Sequence, residues 1–157
     1  MLSPDARVYV AGHRGMVGSA VWRALESAGF TDLIGWSSAE VDLTDRDSAM
    51  DAVLSARPDV VVVAAAKVGG IMANATYPVE FLTDNLRIQT NLFEAAHAAD
   101  VDRLLFLGSS CIHPRMAPQP IPESALLTGP LEPTNDAYAI AKIAGIIGVQ
   151  SYRREYG

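Results

Sequence analysis

The chain has 157 residues, half of them hydrophobic and 19% charged, with a formal net charge of −6 and a single cysteine, Cys111. That composition excludes a disordered segment and a disulfide-stapled scaffold, and it suffices for one domain with a sizeable core. An acidic chain with no run of Lys or Arg lacks the electrostatic footprint of a nucleic-acid binder, so a phosphate ligand must be met locally, by backbone N–H groups and a few cations.

In chain order, residues 7–11 (RVYVA) read as a short buried strand, followed by a glycine-rich loop. Residues 17–28 carry Val17, Val21, Leu25 and Ala28 at helical spacing, with Gly29 as the stop. A second strand is expected over 33–36 and a helix over 45–57, with Thr44 as its cap and Pro58 beyond its end. The apolar run at 60–64 suits a parallel strand covered on both faces. Residues 67 to about 78 read as irregular, and 78–99 as helical. A fourth strand covers 103–107, a proline-rich loop 111–134, and a last helix 138–156. Strands alternating with helices predict an α/β fold, a doubly wound parallel sheet of the Rossmann type, with strand order 3-2-1-4. The longest apolar stretch, 60–66, is far short of the roughly 20 residues that span a bilayer, so no membrane segment is expected. The absence of a signal-peptide pattern at the start, together with the lone Cys111, points to the cytoplasm. No metal-ligand cluster stands out.

Gly12, Gly15 and Gly18 fall between the first strand and the first helix, with His13, Arg14, Met16 and Val17 completing the loop. In this GxxGxxG pattern the first glycine allows the tight turn. The second lets the backbone approach a pyrophosphate, and the third lets helix and strand pack closely. The helix N-terminus adds free N–H groups and a positive dipole end. An acid closing the second strand would bind the 2′-hydroxyl of NAD; here stand Gly35-Trp36-Ser37-Ser38, with no acid before Glu40. The hydroxyls of Ser37 and Ser38 and the fork of Arg14 suit a 2′-phosphate, which favours NADP (NADPH). Asp42 and Leu43 could hold adenine.

Tyr138 and Lys142 are four residues apart, one turn along a helix. A lysine there is expected to lower the phenol's pKa, so that Tyr138 donates a proton to a carbonyl as hydride arrives. Ser109 and Ser110 follow the fourth strand, at the carboxyl edge where open α/β sheets bind ligands.

The segments AGHRGMVGSA, AAAKVGGIMAN, LLFLGSSCIHP and QPIPESALLTGPLEPTNDAYAIAKIAG resemble the extended short-chain dehydrogenase/reductase family. The likeness covers the whole chain and is close to the family's GDP-sugar epimerase-reductases. It implies epimerisation of a 4-keto sugar at C3 and C5, then reduction of the C4 ketone with NADPH. Tyr138 then matches the acid, Lys142 its activating partner and ribose contact, Ser109 the keto-oxygen donor, and Cys111 the residue that exchanges protons in epimerisation. Ala64, Ala65 and Ala66, with Leu107, Gly108, Ser109 and Ser110, match segments lining the nicotinamide and its ribose. Relatives can carry an arginine near Ser38, and often a tyrosine at His113. They also continue past residue 157 into a substrate domain, so residues 1–157 are expected to be a partial Rossmann domain that binds NADPH with little turnover alone. A homodimer through the apolar helices is expected as well, because Ile140, Ile143, Ile146, Ile147 and Val149 cannot all face one sheet. Two other readings stand beside this one: another nucleotide-sugar epimerase or dehydratase, against which Cys111 argues, and a nucleotide-binding module without turnover.

Overall fold

Short runs of valine set the centre of the molecule. In the computed structural model, which describes residues 2–157, Val8–Ala11 form β1, Leu33–Ile34 β2, Val60–Val63 β3 and Arg103–Phe106 β4, all pairing in parallel. The order is β2-β1-β3-β4, not 3-2-1-4. Every residue of β3 is buried, and a strand covered this fully needs neighbours on both sides rather than an edge position. The two-residue β2, only partly buried, takes the edge instead. The connections therefore reverse at β1, which opens a topological switch point between β1 and β3.

Two units make up the chain. The first runs to Ala66 and resumes over Arg87–Leu107; the second comprises Lys67–Leu86 and Gly108–Gly157. The first holds the sheet. Val8, Val10, Val60 and Val62 pack against Val21, Trp22 and Leu25 of α1 (Met16–Ser27), with Phe30 and Leu33 beside them. Burying each valine contributes roughly 1.5–3 kcal/mol. Tyr9, Val61 and Val63, alternating with these along their strands, are fully buried as well. Helix α1 ends where Gly29 takes a positive φ of 88°. Helix α2 (Arg46–Ala56) is capped by Asp45, whose carboxylate accepts the Ser48 N–H at 2.8 Å. Thr44 is not the cap: its hydroxyl and N–H are both given to Asp42.

Residues 67–78 are not wholly irregular, because Ile71–Thr76 form α3. Six residues are too few for a periodic signal; the helix is held locally, with the buried Asn74 amide donating to the carbonyls of Gly69 and Gly70. Helix α4 (Pro78–Ala98) starts in the second unit and ends in the first. Its Asn85, 3% exposed, accepts the Lys67 N–H at 2.9 Å and donates to the Lys67 and Phe81 carbonyls. Two short 3-10 turns, Ser110–Ile112 and Glu123–Ala125, interrupt the proline-rich stretch before α5 (Asp136–Tyr156).

Candidate functional site

The glycine loop has the shape that its spacing predicts. Gly12 sits at φ 83°, and a side chain there would come within 2.7 Å of the Ala65 backbone. The chain leaving β1 and the chain leaving β3 thus touch at the switch point, and only glycine permits it. A Cβ on Gly18 would overlap the Gly12 carbonyl group, so the third glycine fastens α1 to the turn. Gly15 differs: it is exposed, and a Cβ there would meet only the Gly12 oxygen, at 3.3 Å. It is also the N-cap of α1, with no side-chain cap and no acid in the first turn. The first N–H groups of α1 are therefore left for an anion. Met16 and Val17 are exposed at the same end. Open space over Gly15 and unspent donors fit the pyrophosphate of a dinucleotide.

The end of β2 is less simple than its sequence suggests. Ser37 gives both its N–H and its hydroxyl to the Glu40 carboxylate, at 2.7 and 2.6 Å. Those bonds, helped by the nearby Arg14 charge, hold Glu40 below the usual carboxylate range. Of the expected donors, Ser38 and Arg14 remain exposed, while Ser37 is engaged. The His13 ring packs on Gly35 and lies 5.3 Å from the Trp22 ring, with Nδ1 buried and unpartnered. Asp42 uses one oxygen on Thr44, which with the Asp45 N–H draws its pKa down. Leu43, partly buried, gives its carbonyl to Asn91. Ala64, Ala65 and Ala66 follow β3, partly exposed. Leu107 extends β4 with a bond to Val63.

In the second unit, two pairs of residues from separate elements, Ser109 with Cys111 and Tyr138 with Lys142, converge. The Cys111 thiol donates to the Ser109 hydroxyl at 3.3 Å, and Ser109 also hydrogen-bonds Tyr138. Lys142, 4% exposed, places Nζ 5.9 Å from the centre of the Tyr138 ring. Gly108 packs lightly on Ile146, and Ser110 opens the 3-10 turn that carries Cys111. One expectation is reversed. Tyr138 is not lowered by its lysine; burial, then the proximity of Cys111, raise it, with the Ser109 bond opposing. Burial lowers Lys142 in turn, so the ammonium that should favour a phenolate is itself disfavoured. At neutral pH Tyr138 is a protonated phenol. His113, partly exposed, keeps a buried Nδ1 without a partner. Lys67 is an ion-pair residue, 3.1 Å from Glu80 and 3.7 Å from Asp84.

The Lys142 shift has a testable sign. With its folded pKa below the ordinary 10.5, the unfolded chain binds more protons in the interval between the two values, so stability rises with pH there. Lys142→Met, which removes the buried charge, should raise the melting temperature at pH 7. The gain should shrink as pH approaches 10.5. Melts at several pH values check this, and a gain independent of pH would refute the electrostatic cause.

The bonding of Glu40 to Ser37 and the role of Asn85 are not anticipated by the sequence reading. The S-x-x-E spacing of Ser37 and Glu40 was the available signal for the first; Asn85 has none, being one polar residue within a helix. Among the described residues no group of three or more His, Cys, Asp or Glu side chains could hold a metal, and no helix is long and apolar enough to cross a membrane.

The family model described as the NAD dependent epimerase/dehydratase family matches residues 8–157. The chain is 55% identical over 157 residues to GDP-L-fucose synthase 1 of Arabidopsis thaliana, covering 100% of this chain and 49% of that protein. It is 56% identical over 151 residues to GDP-L-fucose synthase of Escherichia coli strain K12, covering 96% and 47%. Among solved structures, the GDP-mannoheptose C4 reductase of Campylobacter jejuni with NADP bound aligns with a TM-score of 0.96 at 31% identity, over 100% of this chain and 50% of that one. The chain spans about half the length of the curated relatives it matches.

Proposed function

Since the chain belongs to the NAD dependent epimerase/dehydratase family, we propose that it supplies the cofactor-binding part, and four reacting side chains, of an NADPH-dependent enzyme. That enzyme epimerises GDP-4-keto-6-deoxy-D-mannose at C3 and C5 and reduces it at C4 to GDP-L-fucose. The observation that carries this reading is the meeting of Cys111, Ser109, Tyr138 and Lys142 in one unit. A simple ketone reductase needs the serine, tyrosine and lysine; a thiol in their midst is explained by proton exchange next to a carbonyl.

The loop from Gly12 to Gly18 would hold the pyrophosphate, with Arg14 and Ser38 at the ribose phosphate and Asp42 and Leu43 at adenine. When bound, the reduced cofactor supplies the hydride. Tyr138 starts as a neutral phenol and gives its proton to the C4 oxygen, general acid catalysis of the kind worth about 10²–10⁴ in rate. Ser109 hydrogen-bonds that oxygen and fixes its position. Cys111 serves as one acid–base group at the carbons beside the carbonyl, and inversion there needs a second group to act on the opposite face of the sugar. Lys142 lies close enough to stabilise the phenolate left behind.

The substrate class and the NADP preference follow the relatives' names, and cytoplasmic placement follows the single free cysteine. A homodimer is supported by Ile140 and Ile147, apolar and nearly half exposed on α5. The reading is tested by titrating the chain with NADPH and by following NADPH consumption with GDP-4-keto-6-deoxy-D-mannose. NADPH binding is expected, and its absence by calorimetry would defeat the cofactor assignment. Consumption of NADPH with a UDP-linked but not the GDP-linked sugar would move the reading to another nucleotide-sugar enzyme.

A further inference from the structure

The turn after β2 carries a carboxylate at the end where the adenosine ribose has to be read. Residues 35–38 hold no cation. Ser37 could offer a phosphate two donors, but both are given to Glu40, at 2.7 and 2.6 Å, and the Glu40 N–H returns to the Ser37 carbonyl at 3.0 Å. The turn is thus closed on itself by an acidic side chain lying in solvent. Arg14, the cation offered by the glycine loop, lies within electrostatic reach of this same carboxylate, as does His13. A 2′-phosphate brings nearly two negative charges to this place; a 2′-hydroxyl brings none.

From this geometry we infer that Glu40 sets the cofactor preference, repelling a 2′-phosphate and sharing Arg14 with it, so that the site binds both NADPH and NADH and favours NADPH only weakly. The inference rests on the reading of Gly12 to Gly18 as a dinucleotide loop. It adds a specificity-determining residue that touches neither the pyrophosphate nor the reacting atoms. Exposed charges a few ångströms apart in water change an equilibrium by about five-fold, and salt screens the effect.

The test separates the charge of Glu40 from its place in the turn. In Glu40→Gln the amide oxygen still accepts from Ser37 while the charge is gone; in Glu40→Ala both are lost. Dissociation constants of the full chain for NADPH, NADH, 2′,5′-ADP and 5′-AMP are measured at low and high salt. In the wild type, NADPH should be preferred over NADH by less than about ten-fold. Glu40→Gln should tighten NADPH and 2′,5′-ADP by about five-fold and move NADH and 5′-AMP less than about two-fold, the difference fading at high salt. A wild-type preference above about a hundred-fold would overturn the inference. So would an equal shift of all four ligands in Glu40→Gln, which is what a merely structural turn predicts. If none of the four binds, the dinucleotide reading falls and takes this with it. If they bind and Glu40→Gln matches the wild type, only the role of Glu40 falls.

Discussion

Gly18→Ala is expected to abolish dinucleotide binding and to lower the unfolding free energy by roughly 1–3 kcal/mol, the usual cost of forcing extra volume into a packed site. The added methyl would overlap the Gly12 carbonyl oxygen and come within 2.7 Å of its carbon. Both are backbone atoms with no rotamer to yield, so α1 must move off the turn. That displaces the free N–H groups that would face the pyrophosphate. Gly15→Ala is the control, since its methyl would be 3.3 Å from one oxygen and otherwise face open space. It should weaken binding with little loss of stability. Denaturant unfolding and calorimetric titration of both variants check this. Equal loss of stability in the two would mean that the loop does not divide its labour as described.

The second large effect is on chemistry. In the whole enzyme of which this chain is proposed to supply a part, Tyr138→Phe should cut C4 reduction by about 10²–10⁴, the range for loss of a general acid, while NADPH affinity stays close to that of the wild type. Burial raises the Tyr138 pKa, so the phenol is protonated throughout the neutral range and its proton is available without prior titration. The reduction rate should accordingly show no Tyr138 ionisation near pH 7. Removing the hydroxyl leaves the Ser109–Cys111 bond in place, so proton exchange at the epimerised carbons should survive. Solvent deuterium incorporation into substrate, read alongside NADPH consumption, tests the split. Loss of both activities would merge the two roles, and normal reduction would remove Tyr138 from its part as acid.

Much of this was legible in the chain because it depends on local pattern. Four consecutive valines announce a strand buried on both faces, and three glycines at fixed spacing announce the turn. The meeting of Ser109, Cys111, Tyr138 and Lys142 followed from the family resemblance and not from spacing alone, since α5 and the 3-10 turn approach each other only through the fold. Other features depend on competition between neighbours. Thr44 looked like the cap of α2 until Asp42 claimed it and left Asp45 to the task. Ser37 looked like a phosphate donor until Glu40 took both its hydrogens. Tyr138 was expected to be acidified by Lys142, but desolvation acts on both partners, and its sign opposes the charge attraction. Strand order failed for a different reason: periodicity reports which faces are buried, not which neighbours provide the cover.

The Asn85 bridge gives the exposed turn at Lys67 an unexpected stiffness in time. The Lys67 amide hydrogen is spent on a side chain that is itself buried, and the Lys67 carbonyl is tied to the same group. For that amide to trade its hydrogen with water, the Asn85 side chain must first let go, which requires the adjoining turn of α4 to open. The residue therefore keeps the clock of the helix rather than that of the loop in which it lies.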